Sequence, residues 1–106
     1  MGLFDFLRTV DINESVKEYH STLNAVLLDV RSPGEYREGH IPGSINVPLS
    51  SLSDIEETVS DPDTPLFVYC YSGSRSRQAV QLLGQMGYTN VKNVGGISSY
   101  KGKVES

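Results

Sequence analysis

A chain of 106 residues has room for one hydrophobic core of ordinary size, so residues 1–106 are expected to form a single domain with its core at about 10–101. The formal charge of −4 argues against nucleic acid as a partner, and no apolar run reaches the length of a membrane span. One cysteine allows no internal disulfide and no paired-cysteine metal site.

The opening "MGLFDFLRTVDINESV" lacks the basic start, long apolar stretch and small-residue cleavage site of a secretory leader. It also lacks Ser or Thr at the sixth position, which weakens a myristoylation reading. A reducing cytoplasm is therefore the expected location.

"NESVKEYHS" (13–21) reads as a helix capped at Asp11 or Asn13, with Val16 and Tyr19 on one side. "AVLLDV" (25–30) is a near-continuous apolar run of strand length, as in a parallel sheet buried on both faces. "SPGEYREG" (32–39) places Ser32 as N-cap, Pro33 at the first helical position and Glu35 three residues after the cap. That is a capping box, opening a short helix that stops at Gly39. "SINVP" (44–48) is a short β-branched strand candidate, and "SSLSDIEETV" (50–59) a helical stretch with Leu52 and Ile55 three apart.

"PLFVYC" (65–70) is a second buried strand. "SRSRQAVQLLGQMG" (74–87) is the best helix, with Ala79, Leu82, Leu83 and Met86 along one stripe and Gly87 as terminator. "TNVKNV" (89–94) completes the set as a strand. Strands alternating with helices give an α/β domain with a mainly parallel sheet, whose ligands bind beyond the carboxyl ends of the strands. Cys70 stands at such an end.

The charge is divided unevenly. Residues 1–69 carry four Lys/Arg against twelve Asp/Glu, and residues 70–106 carry five against one, so the cysteine opens the basic part. An ordinary thiol is only about 3% ionised at pH 7, and lowering its pKa by about two units takes about 2.7 kcal/mol. The loop "YSGS" can supply that. It runs into a helix start, whose free N–H groups and positive dipole end face the loop. Arg75 and Arg77 add cations, Gly73 lets the backbone turn, and Ser72, Ser74 and Ser76 are too small to fill the cradle. A buried cysteine serving as a small hydrophobe is the alternative. The coincidence of strand end, Gly/Ser loop, helix start and two arginines favours a nucleophile.

"CYSGSR" between a buried strand and a helix resembles the active-site loop of the rhodanese-like sulfurtransferases. "LLDVRSPGEYREGHIPGSINVP" (27–48) and "GYTNVKNVGGISSY" (87–100) resemble that family's central and closing signatures. The resemblance implies a small α/β domain with a central, mainly parallel sheet of about five strands flanked by helices. It implies that Cys70 takes a sulfane sulfur from a donor such as thiosulfate and passes it, as a persulfide, to cyanide or a thiol, a protein thiol included. Loop N–H groups would hold the outer sulfur, and Arg75 would meet an anionic donor. No metal or organic cofactor is implied. Related phosphatases and arsenate reductases carry one more residue in the loop, so the six-residue span Cys70–Arg75 favours a single sulfur over an oxyanion. A noncatalytic docking module on the same fold is the reading from another class.

Around this loop, Asp29 is expected to play a structural part, finding donors near its strand end, and Arg31 to pair with Glu35 or bind an anion. His40 is expected to fix its turn through its ring nitrogens rather than act as a base, and His20 to be solvated at a helix end. Tyr71 is a candidate wall of the pocket. Tyr100 stands where many family members have Trp, and is expected to pack near the sheet and loop.

Overall fold

A computed structural model of the protein describes residues 11–106. The first ten residues, which carry most of the segment behind the leader and acylation readings, lie outside the described residues. Helix α1 spans Ile12–His20, and its cap is Asp11, whose carboxylate accepts the Asn13 amide at 3.0 Å. Strand β1 (Val26–Asp29) leads to helix α2 (Pro33–Glu38), strand β2 (Ile45–Asn46) and a 3-10 segment (Leu49–Glu57). Strand β3 (Leu66–Cys70), helix α3 (Ser74–Gln85), strand β4 (Val91–Gly96) and a 3-10 turn (Ile97–Ser99) follow. Among the described residues no helix is long and apolar enough to cross a membrane.

The strands form one parallel sheet in the order β2-β1-β3-β4. Four strands stand among the described residues where about five were expected. The further extended pairing is one antiparallel bridge, in which the His40 and Glu105 amides each donate to the other's carbonyl at 2.8 and 2.9 Å. The capping box at α2 forms as expected: Ser32 Oγ accepts the Glu35 amide at 3.2 Å, and Glu35 Oε1 accepts the Ser32 amide at 3.1 Å.

Alternation along β3 divides the core in two. Leu66, Val68 and Cys70 face one side, with Leu52 and Ile55 of the 3-10 segment and Ala79 and Leu83 of α3. Phe67 and Tyr69 face the other, against Ile12 and Val16 of α1, Ile41 and Val94, with Tyr19 and Tyr100 packed at the margin. Both faces of β1 and β3 are thereby covered, which is why they read as unbroken apolar runs.

Two expectations are corrected by the packing. Leu82 is 43% exposed, because the buried stripe of α3 is Ser76, Ala79 and Leu83, a phase set by Ser76 turning in beneath the cysteine loop. The "SSLSDIEETV" stretch winds as a 3-10 segment, although its Leu52 and Ile55 are buried. Strand β4 also runs on through Gly95 and Gly96, two residues beyond the candidate's end at Val94. Its register slips where Val68 pairs with Asn93 and Tyr69 with Gly95, leaving Val94 as the bulged residue.

Candidate active site

Strand β3 ends at Cys70 and helix α3 begins four residues later, so the connecting loop must reverse its hydrogen-bonding direction within a few residues. Gly73 makes the reversal at φ +100°, the left-handed region that other residues resist. It is the N-cap of α3 and has no side chain to satisfy the helix amides. Cys70 Sγ takes over that task, accepting the Gly73 N–H at 3.0 Å and the Ser76 N–H at 3.4 Å. The sulfur is thus the capping atom of the helix.

The loop rests on β4 with no space between. A Cβ on Gly96 would lie 2.2 Å from the Tyr71 carbonyl oxygen and 2.6 Å from Ser72 Cα. Only glycine permits this approach. The Ser98 amide donates back to the Tyr71 carbonyl at 3.1 Å, tying the loop to the segment after β4.

Cys70 has no exposed surface. Burial pushes its thiol up, but the Ser76 hydroxyl, 3.5 Å from Sγ, and the amides of Ser76, Gly73 and Ser72 more than offset this. The net result is a thiol held below its ordinary value. Hydrogen bonds dominate here, rather than the arginine charges weighed from sequence. Arg77 is exposed, and Arg75 is engaged elsewhere.

Arg75 forms a two-pronged ion pair with Glu35, Nη1 to Oε1 at 2.8 Å and Nη2 to Oε2 at 3.0 Å. The guanidinium is the main cause holding the Glu35 carboxyl down at about 2, with burial opposing and the Ser32 amide and hydroxyl assisting. Glu35 therefore serves α2 as a cap and the cysteine loop as an anchor at once. Arg31 was expected to be its partner. Instead, Arg31 is buried and grips Asp29, donating from Nε at 3.1 Å to each carboxylate oxygen and from Nη2 at 2.7 Å. The two residues sit two apart across a strand end, which brings their side chains to the same place before Glu35 can compete. Arg31 also donates to the Gly39 carbonyl at 2.7 Å, pinning the loop that follows α2.

An open cleft of about 290 Å³ lies beside this network, lined by Arg31, Glu35, Glu38, Gly39 and Tyr71. Tyr71 is 55% exposed and forms one wall of it. Ser72 and Ser74 are exposed, and Ser76 is buried under the sulfur. His40 stacks on Tyr36 with ring centres 3.7 Å apart, its Nδ1 lying 2.8 Å from the Tyr36 carbonyl. It braces the turn through these contacts.

Sequence reasoning passed over Asn93. Its Oδ1 accepts from Gly95 N at 3.0 Å and from Ser76 Oγ at 2.7 Å, and its Nδ2 donates to the Gly73 carbonyl at 3.3 Å. An amide inside a strand two residues ahead of Gly-Gly was the available signal, since a half-buried Asn needs partners. Nothing in the sequence said that they lie in the cysteine loop.

Comparison with known proteins finds relatives of one family and one fold. A model of the rhodanese-like domain matches residues 13–103. The chain is 42% identical over 71 residues to the thiosulfate sulfurtransferase PspE of Escherichia coli, covering 66% of this chain and 68% of that protein. It is 39% identical over 83 residues to the Bacillus subtilis protein YqhL, covering 77% and 65%. Among solved structures, an E. coli rhodanese with bound anions superposes with TM-score 0.72 at 36% identity, over 77% of this chain and 98% of that one. The human single-domain sulfurtransferase TSTD1 superposes with TM-score 0.69 at 29% identity, over 81% and 88%.

Proposed function

The chain belongs to the rhodanese-like domain family, and from that premise we propose that it transfers sulfane sulfur through a persulfide on Cys70. The observation that carries the reading is the placement of Sγ itself, which takes two helix amides at 3.0 and 3.4 Å. These donors favour the thiolate, which is the nucleophilic form.

In the first half-reaction the Cys70 thiolate attacks the outer sulfur of a donor such as thiosulfate. The donor's S–S bond breaks, sulfite leaves with the electron pair, and Cys70 carries a persulfide. In the second, cyanide or a thiolate attacks the outer sulfur, and the electron pair of the broken S–S bond restores the Cys70 thiolate. Proton and electron counts balance without an outside oxidant, and no general base is required. Arg75 would meet the anionic donor by displacing or sharing Glu35, and the cleft beside Tyr71 is the approach. Cys70 is covered, so the rim of the loop must shift to admit the donor.

A phosphatase or arsenate reductase reading asks the loop to surround a tetrahedral oxyanion. The Gly73 and Ser76 amides close on the sulfur atom instead, in a loop of six residues from Cys70 to Arg75. Mass spectrometry after thiosulfate treatment tests the proposal: a gain of about 32 Da on Cys70, one added sulfur, is expected, and cyanide removes it. No gain, together with Cys70-dependent hydrolysis of an aryl phosphate, would overturn it in favour of phosphate chemistry. No response in either assay would leave a docking module.

A further inference from the structure

Counting hydrogens beneath the cysteine loop gives Asn93 a part in the chemistry. Its amide has only one possible orientation. Gly95 N, a donor, lies 3.0 Å from one side-chain atom, and the Gly73 carbonyl, an acceptor, lies 3.3 Å from the other. Both partners are backbone groups that cannot exchange roles, so Oδ1 faces Gly95 and Ser76. Ser76 Oγ lies 2.7 Å from that oxygen, and one of the two must donate. Oδ1 has no hydrogen, so the Ser76 hydroxyl does.

A serine hydroxyl has one hydrogen and two lone pairs. Three acceptors compete for that hydrogen: Asn93 Oδ1 at 2.7 Å, the Gly73 carbonyl at 3.0 Å and Cys70 Sγ at 3.5 Å. The shortest contact wins in the neutral state, which turns a lone pair of Oγ toward the sulfur. The thiol S–H then donates into Ser76, and Ser76 donates into Asn93. When the sulfur is ionised it can only accept, and the hydroxyl hydrogen must swing from Asn93 to Sγ.

We propose that Asn93 is a positioning residue for sulfur transfer: by holding the Ser76 hydroxyl hydrogen it keeps Ser76 an acceptor toward Cys70, and so opposes release of the thiol proton. The chain is Cys70 to Ser76 to Asn93, and it places a brake on the same sulfur that the helix amides activate. When the persulfide forms, the charge passes to the outer sulfur and Sγ becomes neutral, which would return the hydrogen to Asn93. The proposal rests on the sulfur-transfer reading for its purpose, but its test reads ionisation alone.

The experiment titrates thiolate absorbance in the ultraviolet, with Cys70→Ser as the blank, and needs neither donor nor acceptor. Asn93→Leu removes the nearest acceptor and leaves the Gly73 carbonyl, at 3.0 Å, as the one remaining rival of Sγ for the hydroxyl hydrogen. The titration midpoint is expected to fall by about half a unit, equivalent to about threefold more thiolate below the midpoint. In the Ser76→Ala background the same substitution should leave the midpoint where it was. No shift, an upward shift, or a shift that persists without Ser76 would overturn the proposal, since each makes Asn93 merely a support for the loop. If the leucine variant does not fold, Asn93→Asp decides, because it retains both acceptor contacts. It should raise the midpoint, and lose at least half of that rise in the Ser76→Ala background; an unchanged rise, or none, overturns the proposal. Persulfide formation measured separately by mass keeps a failure here distinct from a failure of the sulfur-transfer reading.

Discussion

Glu35 and Arg75, 40 positions apart, are joined by two parallel hydrogen bonds of 2.8 and 3.0 Å. The pair links the capping box of α2 to the loop of Cys70, so the cation proposed to meet an anionic donor already holds a carboxylate. On that proposal, donor and Glu35 compete for it. Removing the charge of Glu35 while keeping its shape should favour the donor. We predict that Glu35→Gln lowers the KM for thiosulfate by about threefold, the scale of a partly exposed ion pair. Gln at the third helical position still closes a capping box, so the melting temperature should change little. Ser32→Ala, which weakens the cap and leaves the Arg75 pair, should not lower KM. A KM for Glu35→Gln that stays or rises would show that Arg75 does not meet the donor.

The depressed thiol of Cys70 makes stability depend on pH in a definite direction. The folded state gives up this proton at lower pH than the unfolded chain does. Between the two values the unfolded chain holds more protons, so stability rises with pH there. The contribution is complete above the ordinary thiol value of about 8.5 and is lost as pH falls through the folded one. Urea unfolding of the native chain and of Cys70→Ala, compared between about pH 6 and 9, should give a stability gap that widens as pH rises. A gap that stays level or narrows would contradict the hydrogen-bond pattern at Sγ.

Two glycines predict opposite results for one substitution. Gly96→Ala drives a methyl to 2.2 Å from the Tyr71 carbonyl, a backbone atom that cannot step aside. The expected cost is about 3 kcal/mol, with a fall in melting temperature of about 10 °C or more and loss of persulfide formation. Gly84 lies inside α3, with nothing within 4 Å of a new methyl. Gly84→Ala should stabilise the chain by about 1 kcal/mol. Calorimetry of both variants checks the pair, and a neutral Gly96→Ala would show that loop and strand are not in contact as described.

What the sequence made legible were features set by neighbouring residues. The capping box at Ser32 and Glu35, the apolar runs of β1 and β3, and the sharp turn at Gly73 are all local, and each could be read from a few letters. Contacts between distant segments were hidden. Glu35 was read with Arg31, four positions away, because no local rule points to Arg75. Leu82 was counted into the core because the stripe on α3 can be drawn in two phases that share Ala79 and Leu83. The choice between them was made by Ser76, whose small hydroxyl looked like loop polarity. Asn93 was unreadable for the same reason: its three partners lie on two other segments and past a bulge in its own strand.

One sulfur atom closes the amino end of α3 and is also the atom proposed to carry cargo. Occupancy of that atom therefore has a mechanical echo. Whenever it is burdened or relieved, the grip on the first amides of a twelve-residue helix is renegotiated. The helix end is a built-in gauge, and slow or fast solvent exchange at Gly73 and Ser76 would report whether the protein is full or empty without any assay of turnover.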